Sequence, residues 1–205
     1  MKLLWCGDST VAGRTGTEGN YTVAVDNDVK TATDLLNQRY GAGTVISVNA
    51  GVPGTTAPEW WFGTNLMTKN FAGVLTDNPD AGAVVLKLGI NDAFSPYLGP
   101  DDFIYCMGQM AGAARSLGRQ IILATPNPID LAHNSILWEL QHRVKWLAGQ
   151  INAPLIDHWD AITRTFPNTW KSMLPDKVHP SNALYKMMGT VSFVTLENAI
   201  KGALT

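Results

Sequence analysis

The chain has 205 residues, of which 45% are hydrophobic and 16% are charged, and its net charge is −2 at pH 7. A small negative charge provides no attraction for nucleic acid or an acidic membrane surface, and no apolar run approaches the ~20 residues that span a bilayer. A chain of this size can bury roughly 70% of its unfolded surface, so we expect residues 1–205 to form a single domain with no nucleic-acid and no membrane partner.

The amino-terminal stretch and the cysteines bear on compartment and metal binding. Residues 1–8 read MKLLWCGD, and this apolar run is too short for the hydrophobic region of a signal peptide. The localisation stays unknown, because a cytoplasmic protein and the mature or excised domain of a larger secreted or viral protein both fit. Cys6 and Cys106 lack the spacing of a zinc site or a disulfide framework, so we expect buried thiols and no metal.

Strand-like and helix-like segments alternate along the chain. Short β-branched or apolar runs predict strands over residues 2–6, 44–48, 83–88, 120–124 and 154–157. Apolar residues at helical spacing predict helices over 29–40, 58–69, 100–117, 134–150 and 181–201. Several strands are apolar on both faces, as in a parallel sheet covered by helices on both sides. The alternation predicts an α/β fold, a three-layer α/β/α sandwich around a roughly five-stranded parallel sheet.

Residues 11–28 differ from the rest of the chain. They are rich in glycine, threonine and asparagine and show no clear periodicity, so we interpret them as a long loop. Loops of this length inside a compact domain are uncommon and often functional. We therefore expect this segment to lie beside the site.

Polar residues follow the predicted strands, where the carboxyl ends of a parallel sheet form ligand sites. Ser9 follows the first strand, Gly51 the second and Asn91 the third, while His179 lies between the fifth strand and the last helix. Each of them taken alone is typical of a turn or a helix cap. The spacing Asp176-x-x-His179 also recurs as Asp130-x-x-His133, and Asp157-His158 forms another acid–imidazole pair. Residue types alone thus leave the choice of acid–imidazole pair open.

The combination and order of these residues carry a resemblance. Four blocks match, namely Gly7-Asp8-Ser9, Asn49-Ala50-Gly51, Gly89-Ile90-Asn91-Asp92 and Asp176-Lys177-Val178-His179. With these blocks the sequence resembles the SGNH (GDSL-type) hydrolase family, whose fold is flavodoxin-like and which needs no cofactor or metal. The segment 11–28 is longer than the family's usual step from the serine to the first helix.

The resemblance implies roles for the residues in these blocks. Ser9 would be the nucleophile, His179 its base and Asp176 the group that orients the imidazole. The oxyanion would be held by the backbone N–H groups of Ser9 and Gly51 and by the Asn91 side-chain amide. Asp8 directly precedes Ser9 and Asp92 directly follows Asn91, so we expect these two carboxylates to support the loops of the serine and the asparagine.

The resemblance implies ester hydrolysis through an acyl-serine intermediate, and the polar loops favour a small acyl group, first of all acetyl on a carbohydrate. The partner would then be a small-molecule or carbohydrate ester. A lipase or thioesterase acting on acyl chains, and a catalytically silent glycan-binding module, remain alternatives. A flavodoxin-like nucleotide binder is disfavoured because no phosphate-binding glycine loop follows the first strand. Trp60-Trp61 would either line the cleft or lie in the core.

Overall fold

The computed structural model describes residues 1–204. Its strands are β1 (Lys2–Gly7), β2 (Arg14–Thr17), β3 (Asn20–Val23), β4 (Ile46–Asn49), β5 (Ala81–Lys87), β6 (Gln120–Ala124) and β7 (Leu155–Ile156). Its α-helices are α1 (Asp28–Tyr40), α2 (Ala57–Phe62), α3 (Phe71–Thr76), α4 (Ile90–Phe94), α5 (Pro100–Ser116), α6 (Asn134–Gln150), α7 (His158–Thr165) and α8 (Asn182–Ile200). Two 3₁₀ turns cover Trp170–Met173 and Lys201–Ala203.

Five strands form the central sheet in the order β4-β1-β5-β6-β7. Every neighbouring pair is parallel, with β1 next to β4 and β5, and β6 between β5 and β7. The α/β fold with a five-stranded parallel sheet is therefore confirmed. This order brings the carboxyl ends of β4, β1 and β5, which precede three of the four sequence blocks, side by side at one edge.

Helices cover both faces of the sheet. Because successive residues of a strand point to opposite faces, Leu3 and Trp5 pack with α1 and α8. Leu4 and Cys6 point the other way, into a core that includes Trp60 of α2 and residues of α3, α5 and α6. Both free cysteines are buried, as expected. No helix within residues 1–204 has the length and apolar character needed to cross a membrane.

The helix predicted over residues 58–69 is present only in its first part, as α2. Thr56 begins α2 with a capping box in which Glu59 takes part, and the helix ends at Phe62 because Gly63 adopts the left-handed conformation, with φ 73° and ψ 46°. A Cβ at Gly63 would lie 2.5 Å from the backbone nitrogen of Asn70, the residue that caps α3. The chain therefore turns here and starts a second short helix.

The loop expected over residues 11–28 contains an antiparallel hairpin, β2–β3. Arg14 pairs with Val23 and Thr17 with Asn20, so Glu18 and Gly19 form the two-residue connection. A two-residue connection that ends in glycine is typical of β-hairpins, and Glu18-Gly19 is such a connection. The sequence interpretation also missed the short helices α4 and α7.

Candidate active site

Three of the predicted residues form one hydrogen-bonded chain. The Ser9 Oγ lies 2.8 Å from the His179 Nε2, and the His179 Nδ1 lies 2.5 Å from the Asp176 Oδ2. Ser9 and His179 are both buried. This arrangement allows the imidazole to take a proton from the hydroxyl while the carboxylate holds the ring in one tautomer.

Backbone N–H groups in a tight turn hold the Asp176 carboxylate in this position. Its Oδ1 accepts hydrogen bonds from the backbone N–H groups of Val178, at 3.0 Å, and His179, at 2.7 Å. Burial acts to raise the pKa of Asp176, but the hydrogen bonds from the His179 ring and these N–H groups outweigh it and leave the pKa below its usual range. The carboxylate is thus ionised, as is needed to stabilise an imidazolium.

The Asp8 side chain fixes the loop that carries Ser9. Its Oδ1 accepts hydrogen bonds of 2.8 Å from both the backbone nitrogen and the hydroxyl of Thr10, while its carbonyl oxygen accepts from the N–H groups of Val11 and Ala12. Burial raises the pKa of Asp8. These contacts connect both the side chain and the backbone of Asp8 to the loop that carries Ser9.

The other acid–imidazole pairs lie in different surroundings. Asp130 pairs with Lys171 at 2.8 Å, and the His133 ring contacts Phe94 with centroids 4.5 Å apart. In the third pair, Asp157 is the N-cap residue of α7, and its side chain accepts a hydrogen bond from the Asp160 N–H. Of the histidines in these three pairs, it is His179 that contacts the Ser9 hydroxyl.

His158, the second residue of the Asp157-His158 pair, is fully buried. Its Nε2 lies 3.0 Å from the Ser192 Oγ, and that hydroxyl in turn donates to the Asp28 Oδ1. The sequence interpretation did not identify this buried network.

Two of the expected oxyanion donors are available. Within residues 1–204 the Ser9 N–H donates to no protein acceptor. The Asn91 side-chain amide donates one hydrogen to the Thr55 carbonyl oxygen at 3.0 Å. Because an amide NH₂ carries two hydrogens, its second hydrogen is free for a ligand. Asn91 therefore has a fixed orientation and an unused donor.

Gly51 does not fit the role of third donor. Its N–H donates to the Asn49 Oδ1 at 3.0 Å, so it has no hydrogen left for an oxyanion. Its lack of a side chain serves another purpose, because a Cβ there would lie 2.4 Å from the Ala12 backbone nitrogen. Gly51 thus lets the block after β4 pack directly against the serine loop.

Gly54, three residues further along, is the better candidate. It is exposed, with φ 86°, and within the described chain its N–H has no hydrogen-bond partner. It directly precedes Thr55, whose carbonyl orients Asn91. The sequence interpretation missed Gly54, although it stands in the same glycine block as Gly51.

Asp92 holds the loop that carries Gly54 and Thr55 through a hydrogen bond at the start of α2. Its Oδ1 accepts a 2.8 Å hydrogen bond from the Ala57 N–H, and its Oδ2 is buried without a partner. Burial raises the pKa of Asp92 to about 7, and the charge of Asp8 acts in the same direction. Asn91 and Asp92 together hold residues 55–57. In residues 1–204 no group of three or more His, Cys, Asp or Glu side chains is arranged to hold a metal ion.

Residues 6–187 match the model of the GDSL-like lipase/acylhydrolase family. The chain belongs to this family. The match includes all four sequence blocks, so the GDSL-like lipase/acylhydrolase assignment covers every residue of the hydrogen-bonded chain described above. As a member of a family of acylhydrolases, the protein is a carboxylic ester hydrolase.

Solved structures share the fold of this GDSL-like protein at low sequence identity. An acetylxylan esterase from Geobacillus stearothermophilus superimposes with a TM-score of 0.73 and 19% identity, covering 95% of this chain and 93% of the other. A lipolytic G-D-S-L family protein from Veillonella parvula gives 0.72 and 16%, covering 95% and 97%. An α/β hydrolase enzyme from the metagenome of Lake Arreo, Spain, gives 0.74 and 18%, covering 100% and 96%. A search of curated proteins finds no match to this sequence.

Proposed function

We propose that this GDSL-like protein is a serine esterase that removes a small acyl group, acetyl first of all, from a carbohydrate through an acyl-serine intermediate. The observation that carries the nucleophile assignment is the 2.8 Å contact between the Ser9 Oγ and the His179 Nε2. A serine hydroxyl is a weak nucleophile until a neighbouring base accepts its proton, and in this chain the base stands at hydrogen-bonding distance.

The first half of the reaction forms the acyl-serine. The His179 Nε2 takes the Ser9 proton as the Oγ attacks the ester carbonyl carbon, and Asp176 stabilises the resulting imidazolium. Negative charge develops on the carbonyl oxygen, where the Ser9 N–H, the Asn91 amide and the Gly54 N–H are the donors we assign to it. Collapse breaks the bond to the alcohol oxygen, which leaves with the proton held on Nε2.

The second half releases the acid. A water molecule gives its proton to the His179 Nε2 and attacks the acyl carbon. As the second tetrahedral intermediate collapses and its bond to the Ser9 Oγ breaks, the His179 imidazolium returns the proton to that oxygen. Fixed donors stabilise the oxyanion in both halves without reorganising. The residues named here suffice for both steps.

Two observations support the acetyl-carbohydrate assignment. One of the structures that share the fold is an acetylxylan esterase, and the loops after β1 and β4 carry the hydroxyl side chains of Ser9, Thr10, Thr55 and Thr56. Trp60 does not contribute an aromatic wall, because it is fully buried and its indole N–H donates to the Thr55 hydroxyl.

A serine-directed organophosphate followed by intact-mass measurement tests the nucleophile. We expect one adduct on the parent, mapping to Ser9, and none on Ser9→Ala. The same Ser9→Ala variant should lose on the order of 10⁶ in kcat on p-nitrophenyl acetate. Parental turnover by Ser9→Ala would refute the nucleophile, and a parent with neither adduct nor turnover would favour a silent binding module.

A substrate panel tests the acyl group and the alcohol. Acetylated xylooligosaccharides should be hydrolysed faster than p-nitrophenyl esters of long acyl chains. A rate that rises with acyl-chain length would instead support the lipase or thioesterase alternative, while leaving the Ser9 chemistry intact.

A further inference from the structure

The β2–β3 hairpin connects the loop of Ser9 with the loop of His179. At its base the Arg14 N–H donates to the Ser9 carbonyl oxygen at 2.9 Å, and the Thr15 hydroxyl donates to the Pro180 carbonyl oxygen at 2.8 Å. The hairpin is therefore held in a fixed place relative to both residues.

Tyr21 extends from this hairpin over the imidazole. Its ring meets the His179 ring edge-on, with centroids 5.4 Å apart and an interplanar angle of 69°. The Arg14 guanidinium lies 3.5 Å from the centroid of the Tyr21 ring, a cation–π contact that restrains the phenol side chain. An ordered aromatic surface thus leads from His179 toward the tip of the hairpin.

A cleft of about 480 Å³ lies between the hairpin tip and the turn at residues 175–177. This volume is within the range of small-molecule sites, roughly 300–1,000 Å³. Besides Asp176, the lining consists of Thr17, Glu18, Tyr21, Leu131, Pro175 and Lys177. The cleft thus combines hydroxyl, carboxylate and ammonium groups with an aromatic ring and two apolar side chains.

The cleft adjoins the imidazole that protonates the leaving alcohol. The leaving oxygen must receive its proton from the His179 Nε2, so the alcohol lies against the imidazole, and the Tyr21 ring that contacts this imidazole also lines the cleft. An acyl chain favours a wholly apolar pocket. A sugar instead offers several hydroxyl groups for charged and polar side chains and C–H faces for Tyr21, Leu131 and Pro175.

We propose that this cleft binds a sugar unit of the leaving alcohol, with Glu18 and Lys177 hydrogen-bonding its hydroxyl groups. The inference rests on the proposed esterase function, and it assigns to the hairpin the recognition of the alcohol. Glu18 and Lys177 are exposed at the two rims of the cleft, where they can reach a ligand without disturbing Ser9 or His179.

The test compares two acetyl esters that differ in their alcohol. Glu18→Ala should lower kcat/KM on acetylated xylooligosaccharides about tenfold, the effect of losing one charged hydrogen bond, mainly through KM. On p-nitrophenyl acetate, whose leaving group is a small phenol, kcat/KM should change less than twofold. Unacetylated xylotriose should competitively inhibit p-nitrophenyl acetate hydrolysis by the parent and do so more weakly in the variant.

Glu139→Ala is the matched control, because it removes an exposed carboxylate on α6 that pairs with Arg143 and does not line the cleft. It should change neither rate. Equal effects of Glu18→Ala on both esters, or a parent that hydrolyses p-nitrophenyl acetate but no acetylated sugar, would overturn the inference. Because Ser9→Ala and the organophosphate adduct report on the nucleophile separately, either result leaves the esterase chemistry standing.

Discussion

The ammonium of Lys87 and the carboxylate of Asp28 form an ion pair with a separation of 3.0 Å, and neither side chain reaches solvent. Lys87 ends β5, where its carbonyl oxygen closely approaches Gly7 of β1, and Asp28 begins α1. Burial acts to raise the pKa of Asp28, but the charge of Lys87 outweighs it and the pKa lies below its usual range. The pair therefore connects the start of α1 to the carboxyl end of β5, next to the end of β1 that leads into the serine loop.

Replacing Lys87 by methionine should destabilise the fold by about 3–5 kcal/mol, because the Asp28 charge would stay buried without its partner. Urea unfolding followed by circular dichroism measures this loss. The double variant Lys87→Met with Asp28→Asn should recover part of the stability, since no uncompensated charge then remains. A single variant as stable as the parent would rule out the pair as an anchor.

His158 predicts a loss of stability in mild acid. Burial lowers the pKa of His158 from 6.5 to about 4, so between these pH values the unfolded chain binds a proton that the folded chain does not. The free energy of unfolding is therefore highest above pH 6.5, where His158 is neutral in both states. It decreases as the pH falls toward 4, by about 3 kcal/mol in all. In His158→Gln, whose amide can replace the Nε2 donor to Ser192, unfolding between pH 7 and 4 should lack this component. Parallel pH profiles for parent and variant would contradict the prediction.

The meeting of the loops after β1, β4 and β5 at one edge of the sheet was predictable, because topology determines it. Polar residues that follow β1, β4 and β5 must share an edge once these strands are parallel neighbours. The turn from Asp176 to His179 also brings its carboxylate back to its own imidazole, whereas Asp130 pairs with Lys171 instead. What local sequence could not decide was which of two such turns faces the serine, because that depends on tertiary packing.

Gly51 and the β2–β3 hairpin differ from what the sequence predicted, and in each case the physical cause is one that sequence periodicity does not show. The backbone N–H of Gly51 donates to the Asn49 side chain, and the sequence does not show that this acceptor competes with an oxyanion for the same hydrogen. The strands of the β2–β3 hairpin are four residues each and largely solvent-exposed, and a pair of such strands is stable only when docked on other elements. The composition of residues 11–28 indicated a segment beside the site, but the strand pairing that places Tyr21 against His179 could not be read from it.

Gly51→Ala should disturb the serine loop. The new Cβ would lie 2.4 Å from the Ala12 nitrogen and 2.9 Å from the Val11 carbonyl carbon, and both are backbone atoms that cannot rotate away. We expect a loss of about 1–3 kcal/mol in stability together with reduced turnover. Gly112→Ala is the control, because a Cβ there meets no atom within 4 Å and glycine weakens a helix interior by roughly 0.5–1 kcal/mol relative to alanine. Thermal melts should move in opposite directions for the two variants, and a Gly51→Ala protein with parental stability and turnover would contradict the close packing.

Asn91→Ala should lower kcat on p-nitrophenyl acetate by about 10²–10³, the cost of losing one oxyanion donor, with little change in KM. The ground-state carbonyl makes a weaker hydrogen bond than the developing oxyanion, so the loss appears in kcat. Asn91→Asp keeps the shape of the side chain but replaces both hydrogens by a negative charge, and at pH 8 it should lose at least as much. Asn198→Ala, on the exposed side of α8, should turn over at the parental rate. Parental kcat in Asn91→Ala or Asn91→Asp would contradict the assignment and would leave the oxyanion to the backbone donors alone.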